Sequence, residues 1–452
     1  MAQFNSANGA FQQHAKTLFE SNMLASPDGA VVSNTNPLPV IGTTTNHNGK
    51  LVLTVDDDTV QHTSLNRRKV STFELVDYAT FTTSKDTDIF DEISSGTANS
   101  THAPYFGMVK FEVGSAAGDQ IIRQSKRVQR YLPGRQNEFG TTVILGAPTT
   151  GIRRRIGMFD ESDGFYFEDS GDGTYRCVLR RNTAGGIVTE SYARADWNVD
   201  KLDGTGRSGL TLDLSLIQHL SIEYEWYGAG QIEWNFVIDN NKHPIHRILH
   251  ANREDHTWSS RASLPIRYEL TNVTGATGTH TSYQGAHSLS AEGTSTLVGR
   301  QDSISNSITG RTLTLANVFY PVVAIRLASD KLNSVIIPDE YSGATLDNTS
   351  IFVRILEGVT ITGGTWVAVG GDSPIEYNIT ATSFTGGTTL STKYISSGNM
   401  GAVSTFPERS ITQLQRSTTT TLGDTSSIFL IAIAATGAQK SAWASLGWIE
   451  VR

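Results

Sequence analysis

Residues 197–238, WNVDKLDGTGRSGLTLDLSLIQHLSIEYEWYGAGQIEWNFVI, hold the strongest strand signal in the chain and three of its seven tryptophans. Within them apolar side chains fall on alternate positions, Leu220, Ile222, Tyr224 and Trp226. After Tyr227-Gly228-Ala229-Gly230 the alternation resumes as Ile232, Trp234, Phe236 and Ile238. A period of two belongs to a half-buried strand, and two such runs around a glycine-rich reversal predict a β-hairpin. Gly228 and Gly230 can supply the positive φ that a short reversal uses. Two aromatic-rich faces on one side of a ribbon need a second layer to cover them, which places the hairpin inside a sandwich or barrel.

The same alternation turns glutamates outward. Keeping the apolar faces together sets Glu233 opposite either Glu223 or Glu225, and like charges do not face each other unaided. One reading is a carboxylate pair for acid/base work on a sugar, such as Glu225 with Glu233. The other, which is the expectation, is a solvated or arginine-bridged pair on a polar face.

At 452 residues and 49.0 kDa the chain can bury more than one large core. Its formal charge of -8 is not that of a uniformly basic nucleic-acid binder. Cys177 is the only cysteine, which excludes an intrachain disulfide framework and a cysteine-cluster metal site and fits a reducing place of synthesis. The start, MAQFNSANGAFQQHAK, lacks the apolar run of a secretory signal, and no segment has the uninterrupted apolar length of a membrane helix. A soluble protein without export address or membrane association is expected.

Along the chain, residues 9–24 place Phe11, Ala15, Leu18 and Phe19 at helical spacing. Residues 25–49 mix Pro, Gly, Asn and Thr and read as an extended arm without a regular ladder. From residue 50 the texture is all-β, with strand-like runs at 50–55, 70–76, 107–113, 119–131 and 140–146. A meander follows through the turns at Asp163-Gly164 and Asp172-Gly173. Residues 271–312, rich in Thr, Gly and Ser, read as loop. Further strands are expected at 322–327, 351–356, 365–369, 375–381 and 428–434, the last of which, apolar on both faces, should be central and doubly covered.

Chemistry-bearing clusters have structural alternatives. Asp160, Glu161, Asp163, Glu168, Asp169 and Asp172 lack the spacing of an EF-hand loop and read as turn chemistry. His243, His246, His250 and His256 lack an acidic third ligand and any HExxH, and read as packing or surface histidines. The basic clusters at 67–69, 126–135, 153–155 and 180–181 read as structural or interface pairing. No GxSxG elbow, Walker loop, dinucleotide fingerprint or zinc signature occurs. No catalytic, cofactor-binding or metal-ligating residue is therefore assigned, and no cofactor is expected.

One series of separated motifs carries a resemblance. NRRKVSTFELVDY, RQSKRVQRYLPGRQNEF, RIGMFDESDGFYFE, DWNVDKLDGTGRSGLTLDLSLIQ, EYEWYGAGQIEWNFVI, HRILHANRED and LPIRYEL occur in this order, with a fainter match through TGGTW and TSFTGGTTL. The series resembles a family of virion structural proteins of tailed bacteriophages, of marine and cyanobacterial type, often labelled tail or tail-fibre proteins. It covers roughly residues 60–295, fading toward 395, and implies a structural role in the particle without transferring any functional residue.

The expectation is thus an all-β protein of two β-sandwich or jelly-roll-like domains, 50–295 and 296–452, behind an N-terminal helix and extended arm, 1–49. The resemblance implies a non-enzymatic component of a tailed-phage virion, made in the host cytoplasm and associated with the tail, baseplate or fibre. Its expected partners are copies of itself and neighbouring virion proteins, without nucleic acid or membrane. Alternatives are a host-surface or glycan-binding receptor protein, a capsid or neck decoration protein and, last, a carbohydrate-active tail enzyme. The arm is expected to fasten the subunit to a neighbour.

Overall fold

The computed structural model describes residues 44–47, 50–53, 73–129, 134–225, 227–293, 299–396, 402–405, 416–417 and 425–451. The chain divides into two compact units, Met1–Gln61 and His62–Arg452. In the first, β1 (Thr44–His47) pairs antiparallel with β2 (Lys50–Leu53). This corrects the expectation of an arm without a ladder through residue 49. The intervening Asn48-Gly49 is the commonest two-residue hairpin sequence, and the Thr-rich flank tolerates a strand. The helix expected at 9–24 and the rest of the arm lie outside the described residues.

The second unit begins with fifteen strands. They are β3 (Phe73–Ala79), β4 (Phe90–Ser95), β5 (Asn99–Ala103), β6 (Met108–Val113), β7 (Gln120–Gln129), β8 (Asn137–Ile144), β9 (Ile152–Phe159) and β10 (Gly164–Asp169), then β11 (Tyr175–Thr183), β12 (Gly186–Ala193), β13 (Gln218–Tyr224), β14 (Ile232–Ile238), β15 (Asn241–Ile248), β16 (Leu264–Asn272) and β17 (His280–Glu292). They build a seven-stranded sheet, β12-β11-β10-β9-β16-β7-β4, and an eight-stranded sheet, β15-β14-β13-β8-β17-β6-β5 with β3 also on β17. One apolar core runs from Ala79 to Leu289 in sequence and takes side chains from both sheets. Phe165 of β10 meets Trp234 of β14 edge-on at 6.5 Å, and Phe167 meets Phe236 at 5.3 Å. The hairpin is therefore β13–β14, facing inward as its alternation requires. Trp226 lies outside the described residues.

Of the two glycines in its turn, only Gly228 takes a positive φ, 74°. Gly230 is needed for a close approach, since a Cβ there would fall 1.9 Å from the Glu225 carbonyl oxygen. The meander stands as read, β10 and β11 following the two Asp-Gly turns. Cys177, in β11, is wholly inside the core, where burial raises its thiol pKa well above the usual range.

The loop expected at 271–312 is corrected. Its middle is β17, thirteen residues long and flanked by β8 on one side and by β6 and β3 on the other. Its inward positions are Ser282, Gln284, His287, Leu289 and Ala291, so small and polar side chains carry the alternation. Gln284 is acceptable there because Arg123 donates to it at 2.7 Å.

The remaining strands are β18 (Arg300–Ser305), β19 (Arg311–Leu313), β20 (Tyr320–Leu327), β21 (Val335–Ala344), β22 (Ile351–Thr362), β23 (Val367–Ala368) and β24 (Ile375–Asn378), then β25 (Ser383–Ile395), β26 (Ala402–Thr405), β27 (Arg416–Ser417), β28 (Thr425–Ser426), β29 (Phe429–Ala435) and β30 (Lys440–Val451). β18-β30-β21-β26 form one sheet, with β19 also on β30, and β23-β24-β20-β29-β22-β25 another; β27 and β28 pair separately. A second core, from Leu313 to Trp448, lies between the two larger sheets. β29 sits between β20 and β22 with all seven residues buried, Phe429, Ile431 and Ile433 in that core and Leu430 and Ala432 in a cluster on its other face. Among the described residues every pairing is antiparallel and the only helical element is a single 3₁₀ turn, Arg194–Asp196. The architecture is that of packed β layers.

Candidate functional site

Because Leu220, Ile222 and Tyr224 point inward, Ser221 and Glu223 point out, and likewise Glu233 and Asn235 on β14. The register places Glu223 directly opposite Glu233, and on its other side opposite Glu138 of β8. Three glutamates thus stand in a row across adjacent strands, with Arg247 next in line beyond Glu233 and Ser290 beyond Glu138. Glu225 is not the partner of Glu233. It is buried at the turn, its backbone N–H donating to the Gln231 carbonyl.

Such a row is stable only with cations among it. Lys242 Nζ lies 2.5 Å from both Glu138 Oε1 and Glu223 Oε1, and Arg247 Nε donates to Glu233 Oε2. The Gln136 amide donates to Glu223, and the Ser221 hydroxyl to Glu138 at 2.7 Å. Burial pulls the Lys242 pKa down, yet Glu223 and Glu138 together raise it above its ordinary value, so the ammonium stays charged. Glu223 and Glu233 are both buried, at 4% and 7% exposure, where a solvated pair was one expectation. His219 stands on the same face opposite Thr142, its pKa lowered by desolvation against the pull of Glu138.

The other half of this face is aromatic. Phe106, from the tight turn between β5 and β6, stacks on Tyr283 of β17 with ring centroids 5.1 Å apart and planes 17° apart. Phe106 is 59% exposed and its neighbour Tyr105 stands wholly in solvent. Lys110, opposite Tyr283, pairs with Glu112 at 2.7 Å, and that contact raises its pKa. Between the aromatic and acidic halves lies Gly140, closely flanked by side chains, since a Cβ there would come within 3.3 Å of His219 Nε2 and 3.6 Å of Ser288 Oγ. Along β3, Phe73, Leu75 and Tyr78 are exposed on the same face.

The other clusters singled out in the sequence are engaged within the chain. Asp160 caps its own turn through the N–H groups of Ser162 and Asp163 and pairs with Arg261 at 2.6 Å. Asp163 accepts from the Ser260 N–H and hydroxyl, both at 2.8 Å. Asp172 accepts from the Thr174 N–H and pairs with Arg176. Arg154 meets Asp169 at 2.5 Å, Arg155 meets Glu168 at 2.6 Å, Arg267 meets Glu161 at 2.5 Å and Arg181 meets Glu190 at 3.4 Å. Residues 67–69 and 130–133 lie outside the described residues. His246 is buried against Tyr192 and accepts the Asn198 N–H at Nδ1, and burial brings its pKa down to about 4. His250 Nε2 lies 2.6 Å from the His256 carbonyl. Among the described residues no three His, Cys, Asp or Glu side chains come together as a metal set.

Sequence reasoning missed Glu138, Lys242, Phe106 and Tyr283. Glu138 was legible as the outward neighbour of Phe139, and Pro104-Tyr105-Phe106-Gly107 as a turn with exposed aromatics.

No protein-family model and no curated protein matches the chain. Among solved structures it is similar to a glycosyl hydrolase family protein from Mycobacterium fortuitum at 8% identity and a TM-score of 0.34, over 48% of this chain and 99% of that one. It is also similar to an immunostimulatory antigen and pseudo beta-1,3-glucanase of Mycobacterium tuberculosis, at 7% identity and 0.34 over 48% and 98%. A legume lectin-like domain from Entamoeba histolytica overlaps at 12% identity and 0.29, over 48% and 98%. At this overlap the likeness says nothing of what the chain binds or does.

Proposed function

We propose that this chain is a structural protein of a tailed-bacteriophage particle, carried in the tail or its baseplate and fibre apparatus, and that it works through protein contacts. Of the motif series that resembles such proteins, residues 155–168 run through β9 and β10, and residues 223–238 take in the end of β13 and all of β14. The observation that carries the reading is β3. Among the described residues it pairs with β17 alone, and it presents Phe73, Leu75 and Tyr78 to solvent. A free soluble protein blunts such an apolar edge with charge or covers it, whereas an assembling subunit uses it.

Proteomics of purified particles should find the chain. A variant carrying Phe73→Asp and Leu75→Asp should fold with a stability change within about 0.5 kcal/mol, as for exposed positions, and be missing from them. Its incorporation at the wild-type level, or absence of the wild-type chain from particles, refutes the proposal. In the same reading the glutamate row is structural. Particles incubated with host envelope polysaccharide should release no reducing ends that depend on Glu233, and release lost in Glu233→Gln would reverse that assignment.

A further inference from the structure

From the outer face of the eight-stranded sheet we infer a binding site for a neutral oligosaccharide, running from the Phe106–Tyr283 stack across Gly140 to Glu138. The inference uses other side chains than those of β3, though Ser288 and Ser290 neighbour Tyr78 and Leu75 on this face, and it is argued from separate observations. An aromatic stack left half in solvent offers a flat apolar surface with a polarised face, and the C–H side of a pyranose ring packs on such surfaces. Here one ring of the pair, Tyr283, is partly shielded while Phe106 keeps 59% of its surface open.

A sugar also needs hydroxyl partners beside the ring and room for the next unit. Lys110 and Glu112 give a donor and an acceptor next to Tyr283. Beyond them lie Thr142, His219, Ser288 and Ser290, none fully buried, about the position of Gly140. His219, its pKa lowered, offers a neutral imidazole near neutral pH, able to donate at one nitrogen and accept at the other. Tyr283 pairs with Ile144 and Ser290 with Glu138, so the path spans the length of β8 from residue 144 to 138. At about 3.4 Å per residue that is roughly 20 Å, the reach of an oligosaccharide and more than a single sugar occupies.

Charge selects among glycans. Lys110 and Glu112 pair with each other, and the path ends on Glu138, the half-buried member of a row of three carboxylates. A sulfated or uronic-acid chain would bring a further anion against that carboxylate, whereas a neutral hexose chain meets hydroxyls, an imidazole and an aromatic platform.

The full-length chain would be presented to an array of neutral hexose oligosaccharides alongside sulfated and uronic-acid ones, and the best neutral binder taken to titration calorimetry. Phe106→Ala and Tyr283→Ala, each checked for an unchanged melting profile, should weaken binding about 10-fold or more, the equivalent of roughly 1.4 kcal/mol. The inference is overturned if no neutral glycan is retained, if acidic glycans are preferred, or if both variants bind like wild type. A Phe106→Ala variant that changes sedimentation of the free protein while no glycan binds would make the stack a contact between copies and likewise reject the saccharide.

Discussion

Replacing Lys242 with Met isolates the electrostatics of the glutamate row. The thioether chain keeps most of the apolar stem but removes the ammonium held 2.5 Å from both Glu138 and Glu223. Removing one partner from a buried ion pair costs about 3–5 kcal/mol. Here Glu138 retains 24% of its side-chain exposure and Lys242 17%, and Ser221 and Gln136 still donate to the two carboxylates, so the lower end, about 3 kcal/mol, applies. The pH dependence has a definite sign. A lysine whose folded pKa is raised contributes stability that is fully present below its unfolded value and lost as pH rises through the folded one. The penalty of the variant therefore holds at neutrality and vanishes in strong alkali. Denaturant titrations at neutrality and in alkali, with Glu138→Gln added to the variant as the second arm of a double-mutant cycle, measure the penalty and its dependence on the ammonium. A penalty under about 1 kcal/mol, or one undiminished in strong alkali, would show that the ammonium does not hold the row together.

Two further perturbations test the core and its buried imidazole, and a third tests the pairing of Arg127 with Glu357. Trp234→Ala, at a wholly buried ring packed on Phe165, should lose about 3–5 kcal/mol in denaturant unfolding, and an unchanged midpoint would contradict the core assignment. His246, with a folded pKa of about 4, should cost the protein stability as pH falls from about 6.5, since the unfolded chain binds a proton that the folded one refuses. The slope is near 1.4 kcal/mol per pH unit and the total about 3 kcal/mol, and parallel curves for wild type and His246→Phe would refute it. The Glu357 carboxyl is raised by burial despite Arg127 at 3.8 Å, so ionising it opposes folding and stability should rise as pH drops through its folded pKa. Glu357→Gln should be neutral or stabilising in a thermal melt at pH 7, and a loss above about 1 kcal/mol speaks against this.

What could be read from the chain was whatever large apolar side chains spell out locally. The alternation of residues 220–238 specified the hairpin and its inward face and, through parity, narrowed the partner of Glu233 to Glu223 or Glu225, between which the register decides for Glu223. The apolar run of β29 specified a strand covered on both faces. β17 escaped because its inward positions are Ser, Gln, His and Ala, whose burial depends on partners such as Arg123 on another strand. β9 was hidden by its three arginines, since Arg154 is inward only because Asp169 is there to meet it. The site was half legible for the same reason. Lys242 reaches Glu138 across 104 residues of sequence, a pairing that no local pattern encodes.

The inaccessible thiol of Cys177 has a practical corollary. With its pKa far above neutrality and no solvent contact, it will not compete for maleimide reagents in the folded protein. A cysteine introduced at Ile308, which stands 94% in solvent between β18 and β19, would then be the chain's one reactive sulfur. A dye or gold cluster coupled there would mark each subunit at a single known point without first deleting a native residue. Counting photobleaching steps or gold particles on any isolated assembly of the labelled chain would then give its copy number directly.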